Sequence, residues 1–277
     1  MEIMGLSIRA YARHRGVSDT AVHKAIRAGR ITPEADGSID PDKADREARA
    51  RFLDRAEASL RAADGVVTIS EYSAGAIRKR FGLDPAKVKV TYLGTNSLLA
   101  ADPSPEEIQG IRRKLDLPGE FLLFVGALEP RKNVPALIDA LALIQEKHGP
   151  IPLVLAGRSG GDETAVARTI ERRRLAAHVR RPGYLTDLEI RALYRSASVL
   201  VFPSLAEGFG LPLLEAMASG LPAAVSGAAA LPEVGGDAAL YFKPEDPEDI
   251  ARTTLRLLDD GLLREQLRKQ GFVRAAC

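Results

Sequence analysis

Six short strand-like runs, five of them apolar and most separated by helix-forming stretches, constrain this chain more than any other feature. The runs lie at residues 121–125, 152–156, 178–181, 199–202, 223–226 and 239–242. Helical patterns over residues 134–147, 162–176, 187–196 and 211–219 lie between them, and two more, over 247–259 and 262–273, follow. Continuous rather than alternating apolar character marks strands buried on both faces, which is the mark of a parallel sheet. The expected fold class is therefore α/β, with a doubly wound parallel Rossmann-like sheet. Such sheets bind polar ligands beyond the carboxyl ends of their strands.

Composition narrows the setting. With 39 Lys and Arg against 37 Asp and Glu, the net charge of +2 gives no global field for nucleic acid or membrane. The single cysteine, Cys277, excludes a disulfide framework and a cysteine metal cage, and fits a reducing compartment. No apolar stretch approaches the roughly 20 residues of a membrane helix, and no leader-like segment opens the chain. A cytoplasmic location is expected. The four histidines are scattered without ligand spacing, so no metal site is expected.

Residues 1–50 read differently. Two helices are expected over 7–15 and 19–28, with a turn at Gly16, Val17 and Ser18, Ser18 as N-cap and Gly29 as the closing glycine. Val22, Ala25, Ile26 and Ala21 form the apolar stripe of the second. Residues 31–39 suggest a short hairpin or wing around Asp36-Gly37. A charged helix should then cover 42–63, followed by a strand at 66–69, a helix over 73–81 and a strand at 88–92. A joint ends at Asp102-Pro103-Ser104-Pro105, where Ser104 can cap a helix running to Leu115. The expected domains are 1–50, 51–102 and 103–277.

Three strand ends carry the candidate chemistry. Gly126 to Asn133 spells Gly-Ala-Leu-Glu-Pro-Arg-Lys-Asn. A glycine there allows close backbone approach, and Arg131 with Lys132 at a helix start suits a diphosphate. Taken alone, such a cation pair is more often a solvated surface feature. Gly157-Arg158-Ser159-Gly160-Gly161 is a second glycine-rich strand end, and a weak signal. The third is Ser204-Leu-Ala-Glu207-Gly-Phe-Gly-Leu-Pro-Leu-Leu-Glu215-Ala216, in which two glutamates bracket a glycine-rich turn and a helix start. A helix-borne carboxylate facing a cleft can accept from paired ribose hydroxyls, and a loop carboxylate can do so from a sugar. Asp40-Pro41-Asp42 spells D-x-D but follows no apolar strand, so it reads as a turn.

The run from Phe121 to Asn133 resembles the donor loop of retaining glycosyltransferases of family 4 (group 1), which have the GT-B fold. The run from Pro203 to Pro222 is similar to that family's two-glutamate signature, and Ala230-Leu-Pro-Glu-Val-Gly-Gly-Asp-Ala238 looks like its next segment. The resemblance covers residues 64–274. It implies that Arg131 and Lys132 bind the donor diphosphate beside Gly126, that Glu215 holds the ribose, and that Glu207 contacts the sugar. It implies backbone N–H groups from Phe209, Gly210 and Leu211 toward that sugar, and a base site at Gly183, Tyr184 and Leu185. Glu207, Arg131 and Lys132 are the implied catalytic residues. The donor would be a nucleotide-diphospho-sugar, of mannosyl type on the Glu-Pro-Arg-Lys-Asn variant; no other cofactor and no metal are implied. The acceptor would be a saccharide or a lipid-linked saccharide.

Only the tail of such an enzyme's first domain is expected, over 64–96, and the last helix that crosses back to it is not. A one-walled cleft weakens the case for turnover. The strands at 66–69 and 88–92 are then expected to pack on a neighbouring segment or on another copy of the chain. Residues 10–40 resemble the winged helix-turn-helix of small terminase subunits, which implies DNA contact through residues 7–31 by Asp19, Thr20, His23, Lys24 and Arg27. Six cations stand against two acids in residues 1–31, but three against six in 32–50. The expected function is a glycosyltransferase, truncated and of doubtful activity. The alternatives are a DNA-binding protein with a nucleotide-sugar sensor domain, or an inactive fusion fragment.

Overall fold

A computed structural model describes residues 5–15, 17–96, 102–117 and 119–276, and in it the chain separates into two units. One is built from Met1–Val66 and Arg80–Val88, the other from Val67–Lys79 and Lys89–Cys277. Gly16, residues 97–101 of the joint and Cys277, all named above, lie outside the described residues.

In the first unit, α1 (Ile8–His14) and α2 (Asp19–Arg27) each start at a serine. Ser7 and Ser18 hydroxyls accept the Ala10 and Ala21 N–H groups, satisfying donors the helices leave free. Tyr11, Ala12, Val22, Ile39 and Ala44 form a small buried core; Ala21, expected on the apolar stripe, is exposed. Thr20, His23, Lys24 and Arg27 are exposed on α2.

The expected hairpin needs correction. Asp36-Gly37 does turn, with Asp36 Oδ1 accepting the Ser38 N–H, but Ile39 bridges antiparallel to Leu6, not to residues near Ile31. Ile39 is fully buried in this small core, and Leu6 supplies the apolar partner there. Asp40 caps α3 (Pro41–Ala62), accepting the N–H groups of Asp42 and Lys43 at 2.8 and 3.1 Å. The D-x-D triplet is a helix start, and the helix runs unbroken through residue 50.

β1 (Val66–Thr68) and β2 (Val88–Val90) form a two-stranded sheet, with α4 (Glu71–Phe81) between them in sequence. Of the strands expected to need a partner, Ile69 of the first packs on the main core of the second unit, as does Leu93 just past the second, whereas Val67 stays 72% exposed.

Further along the second unit comes α5 (Pro105–Lys114), capped by the expected Ser104 with a reciprocal bond from Glu107. Its strands are β3 (Leu122–Val125), β4 (Leu153–Ala156), β5 (Val179–Gly183), β6 (Val199–Phe202), β7 (Ala223–Ser226) and β8 (Leu240–Phe242). Every neighbouring pair is parallel, in the order β5-β4-β3-β6-β7-β8. The connecting helices are α6 (Val134–His148), α7 (Glu163–Arg173), α8 (Asp187–Ser196), α9 (Leu211–Ala218) and the short α10 (Leu231–Gly235). Two final helices, α11 (Pro247–Asp259) and α12 (Gly261–Ala275), pack on α6 and α9 respectively. Right-handed crossovers put α6 and α7 on one face, where α11 packs on α6, and α8 and α9 on the other.

β3 leads outward to β4 and β5, and β6 leads outward the other way to β7 and β8. The direction of winding therefore reverses between β3 and β6, and a crevice opens at their carboxyl ends. Gly126 and Gly157 close the adjacent ends of β3 and β4. A Cβ on Gly157 would overlap the Gly126 carbonyl oxygen, so the backbones meet only because that atom is missing. Gly157→Ala is expected to cost about 1–3 kcal/mol by overpacking, read as a lower urea midpoint at unchanged slope.

Candidate functional site

The loops leaving β3 and β6 are stitched together. The Leu205 N–H donates to the Arg131 carbonyl at 2.8 Å, and Arg131 Nη1 donates to the Ala206 carbonyl at 3.2 Å. Pro130–Lys132 forms a single 3-10 turn, and Asn133 then turns left-handed at φ 56° to start α6. This turn aims Lys132 back beneath the loop. Gly126 has no side chain to occupy that space: a Cβ there would touch the Lys132 Cε and Nζ.

Three of the residues expected in the site meet directly. Lys132 Nζ lies 2.6 Å from Glu207 Oε1, and Arg131 Nη1 lies 3.0 Å from Glu207 Oε2. Lys132 is 6% exposed, and its ammonium sits 4.6 Å from the centre of the Phe202 ring. The pair is thus largely withdrawn from water, where its attraction is strong but its desolvation is costly. Arg131 is half exposed, and its Nε is held by Glu129 at 2.7 Å. Glu129 takes a part in the site that its sequence position beside Arg131 could have signalled. Two cations and two carboxylates make the cluster neutral as it stands.

Glu215 is held separately. It lies in the second turn of α9, where Tyr194 of α8 donates to its Oε2 at 2.8 Å. Burial pushes the Glu215 carboxyl above its ordinary value; the Tyr194 bond opposes this and Asp187 adds to it. Burial likewise drives the Tyr194 phenol well up, aided by the neighbouring carboxylate. Tyr194 is fully buried, and nothing in its sequence surroundings marks it as more than a core residue of a helix.

Backbone supplies the rest. Gly210 precedes α9 at φ 106°, and a Cβ there would come within 2.5 Å of Leu231 Cδ2. Glycine is thus required twice, by conformation and by space. The Phe209 ring is buried, 6.4 Å from Tyr92, so only its main chain can face a ligand. Among the described residues, the N–H groups of Gly208, Phe209 and Gly210 have no hydrogen-bond acceptor. Tyr184, 80% exposed, and buried Leu185 follow β5 at the sheet edge. They stand two strands from β3, or about 10 Å. Among the described residues no cluster of His, Cys, Asp and Glu could hold a metal ion, and no helix is long and apolar enough to cross a membrane.

Residues 107–274, more than half of the chain, match the family of glycosyl transferases, group 1. The O-antigen chain mannosyltransferase B of Escherichia coli is 34% identical over 230 residues, which is 82% of this chain and 60% of that protein. The MMP alpha-(1->4)-mannosyltransferase of Mycolicibacterium hassiacum is 31% identical over 228 residues, 81% of this chain and 52% of its own length. The chain thus spans about half to three fifths of the length of these two curated relatives. Among solved structures, Anabaena Alr3699/HepE in complex with UDP and glucose aligns with a TM-score of 0.70 at 23% identity. That alignment covers 79% of this chain and 62% of the other, and it supports the Rossmann-like GT-B fold.

Proposed function

The chain belongs to the group 1 glycosyl transferases, and from that premise we propose that the β3–β6 crevice binds a nucleoside-diphosphate sugar for glycosyl transfer with retention. The observation that carries the reading is the convergence of Arg131, Lys132 and Glu207 where the winding of the sheet reverses. In this reading the diphosphate meets Arg131 and Lys132, both of which keep N–H donors beyond those used by Glu207 and Glu129. The free N–H groups of the 208–210 turn and Glu207 face the sugar, Glu215 takes the ribose hydroxyls, and Tyr184 with Leu185 borders the base.

Transfer breaks the bond between the anomeric carbon and the phosphate oxygen, leaving a diphosphate that gains negative charge. Two fixed cations in a partly dry crevice stabilise that charge at little reorganisation cost. The acceptor, a saccharide free or lipid-linked, supplies the attacking hydroxyl. The names of the relatives favour mannose as the sugar. Those relatives are transferases and lend the DNA reading of residues 7–31 no support.

Isothermal titration with UDP, UDP-glucose, GDP and GDP-mannose tests the proposal. Micromolar to millimolar binding of one nucleotide sugar, lost on charge removal at Arg131, is the expected outcome. Failure of all four to bind would reject a donor site of this kind.

A further inference from the structure

We infer that Ser70 and Ser73, remote in sequence from every donor-loop residue, are positioning residues that set the direction of the sugar-facing N–H groups in the 208–210 turn. The inference rests on the donor-site reading above and adds to it the device that shapes the turn.

Ser70 Oγ donates to the Gly208 carbonyl at 2.6 Å, and Ser73 Oγ donates to the same oxygen at 3.1 Å. Both lone pairs of one carbonyl are thereby engaged. The Ser70 hydroxyl has little freedom to choose otherwise. It also accepts the Ser73 N–H at 3.0 Å and lies in a fully buried side chain. Its proton is left with the Gly208 carbonyl as target.

The peptide plane transmits this constraint. In a trans peptide the carbonyl of one residue and the N–H of the next point in opposite directions. Fixing the Gly208 carbonyl toward α4 turns the Phe209 N–H away from α4. The preceding peptide is pinned in the same manner: the Ala230 N–H donates to the Glu207 carbonyl at 3.3 Å, which directs the Gly208 N–H oppositely. Further back, the Ala206 carbonyl is taken by Arg131. Three successive carbonyls are therefore anchored to protein, while among the described residues the N–H groups of Gly208 and Phe209 have no acceptor of their own. Glycine at 208 leaves the chain free to rotate about this peptide, so the orientation needs outside restraint.

α4 can apply that restraint because it is anchored in turn. Glu233 of α10 accepts the Glu71 and Tyr72 N–H groups at 2.6 and 2.9 Å, and Tyr92 bonds to the same carboxylate. Residues 70–73 are thus held between α10 and the donor turn by four hydrogen bonds. Ser70 does accept the Ser73 N–H as a helix cap, but a cap alone needs no proton donated elsewhere. Here both hydroxyl protons leave the helix for one carbonyl of the turn.

The test compares nucleotide with nucleotide sugar, because the proposed N–H groups face the sugar and not the base. UDP, UDP-glucose, GDP and GDP-mannose are titrated into the full chain and into Ser70→Ala, Ser73→Ala and Ser73→Thr. The alanine variants are expected to lose about 5- to 10-fold in affinity for the nucleotide sugar, the worth of one oriented hydrogen bond. They should lose less than about 2-fold for the matching diphosphate, and Ser73→Thr should restore the difference by returning a hydroxyl. Equal losses for both ligands, or no loss for either, would overturn the inference while leaving the donor site standing. A wild-type chain that binds none of the four overturns the donor-site reading and this inference with it.

Discussion

Lys132→Met lowers the stability of the second unit by about 2–3 kcal/mol, because it takes the nearer of two cations from the Glu207 carboxylate in a site withdrawn from water and leaves it only the half-exposed Arg131 at 3.0 Å. Glu207 is only 9% exposed in its side chain, and Lys132 is its closest cation, at 2.6 Å. The Phe202 ring below Lys132 offers the carboxylate nothing in exchange. A melting midpoint lower by on the order of 10 °C is expected for a unit of this size. The double variant Lys132→Met/Glu207→Met should recover most of that loss, since an apolar pair of similar volume removes the desolvation cost altogether. Arg131 survives the change, being half exposed and still held by Glu129. Donor binding should stay lost in both variants. Recovery of stability without recovery of binding separates the pair's structural part from its part toward the ligand. If the single variant melts within about 2 °C of the wild type, Glu207 is better solvated than its surroundings imply.

Much of this arrangement was legible in the sequence because it is locally encoded. The strand runs at 199–202 and 223–226 have the bounds read from their apolar pattern, since a buried parallel strand needs only a short continuous stretch. Gly126, Arg131, Lys132, Glu207 and Glu215 stand in motifs whose spacing carries over directly to neighbouring strand ends. What stayed hidden depends on partners far apart in the chain. α4 was expected to start at Ser73 but starts at Glu71, where Ser70 Oγ accepts the Ser73 N–H and Glu233 supplies acceptors for the two N–H groups before it from 162 and 161 positions away. The serine cap is local and was there to be read, but no local pattern can announce the part that Glu233 plays. Tyr194 is hidden for a similar reason: its apolar body reads as core, and only the fold reveals that its hydroxyl ends on Glu215. The hairpin at 31–39 failed because an Asp-Gly turn fixes a reversal but not the strand that receives it, and the buried site of Ile39 selected Leu6.

Removing the Glu215 carboxylate should cost the largest share of nucleotide affinity. Glu215→Ala is expected to weaken nucleoside diphosphate binding about 10- to 100-fold, the worth of a charge-assisted bond to ribose of about 1.5–3 kcal/mol. The pH dependence gives a sharper reading, because stability and affinity should move in opposite senses. The folded chain holds the Glu215 proton above the ordinary value of 4.5, mainly through burial. A raised folded-state value means that this group's favourable contribution to stability is complete below 4.5. It is lost as pH rises through the raised value. Ribose binding runs the other way. Only the ionised carboxylate can accept from both hydroxyls, so affinity should rise across the same interval as the proton leaves. Tyr194→Phe removes the bond that favours the ionised form, and should move the affinity rise to higher pH. Glu215→Gln should flatten the affinity profile at its weak end. Titration of UDP and GDP from pH 4.5 upward reads all three proteins together. A wild-type affinity independent of pH, or one unchanged in Tyr194→Phe, would mean that Glu215 does not hold the ribose and that its burial beside Tyr194 serves packing alone.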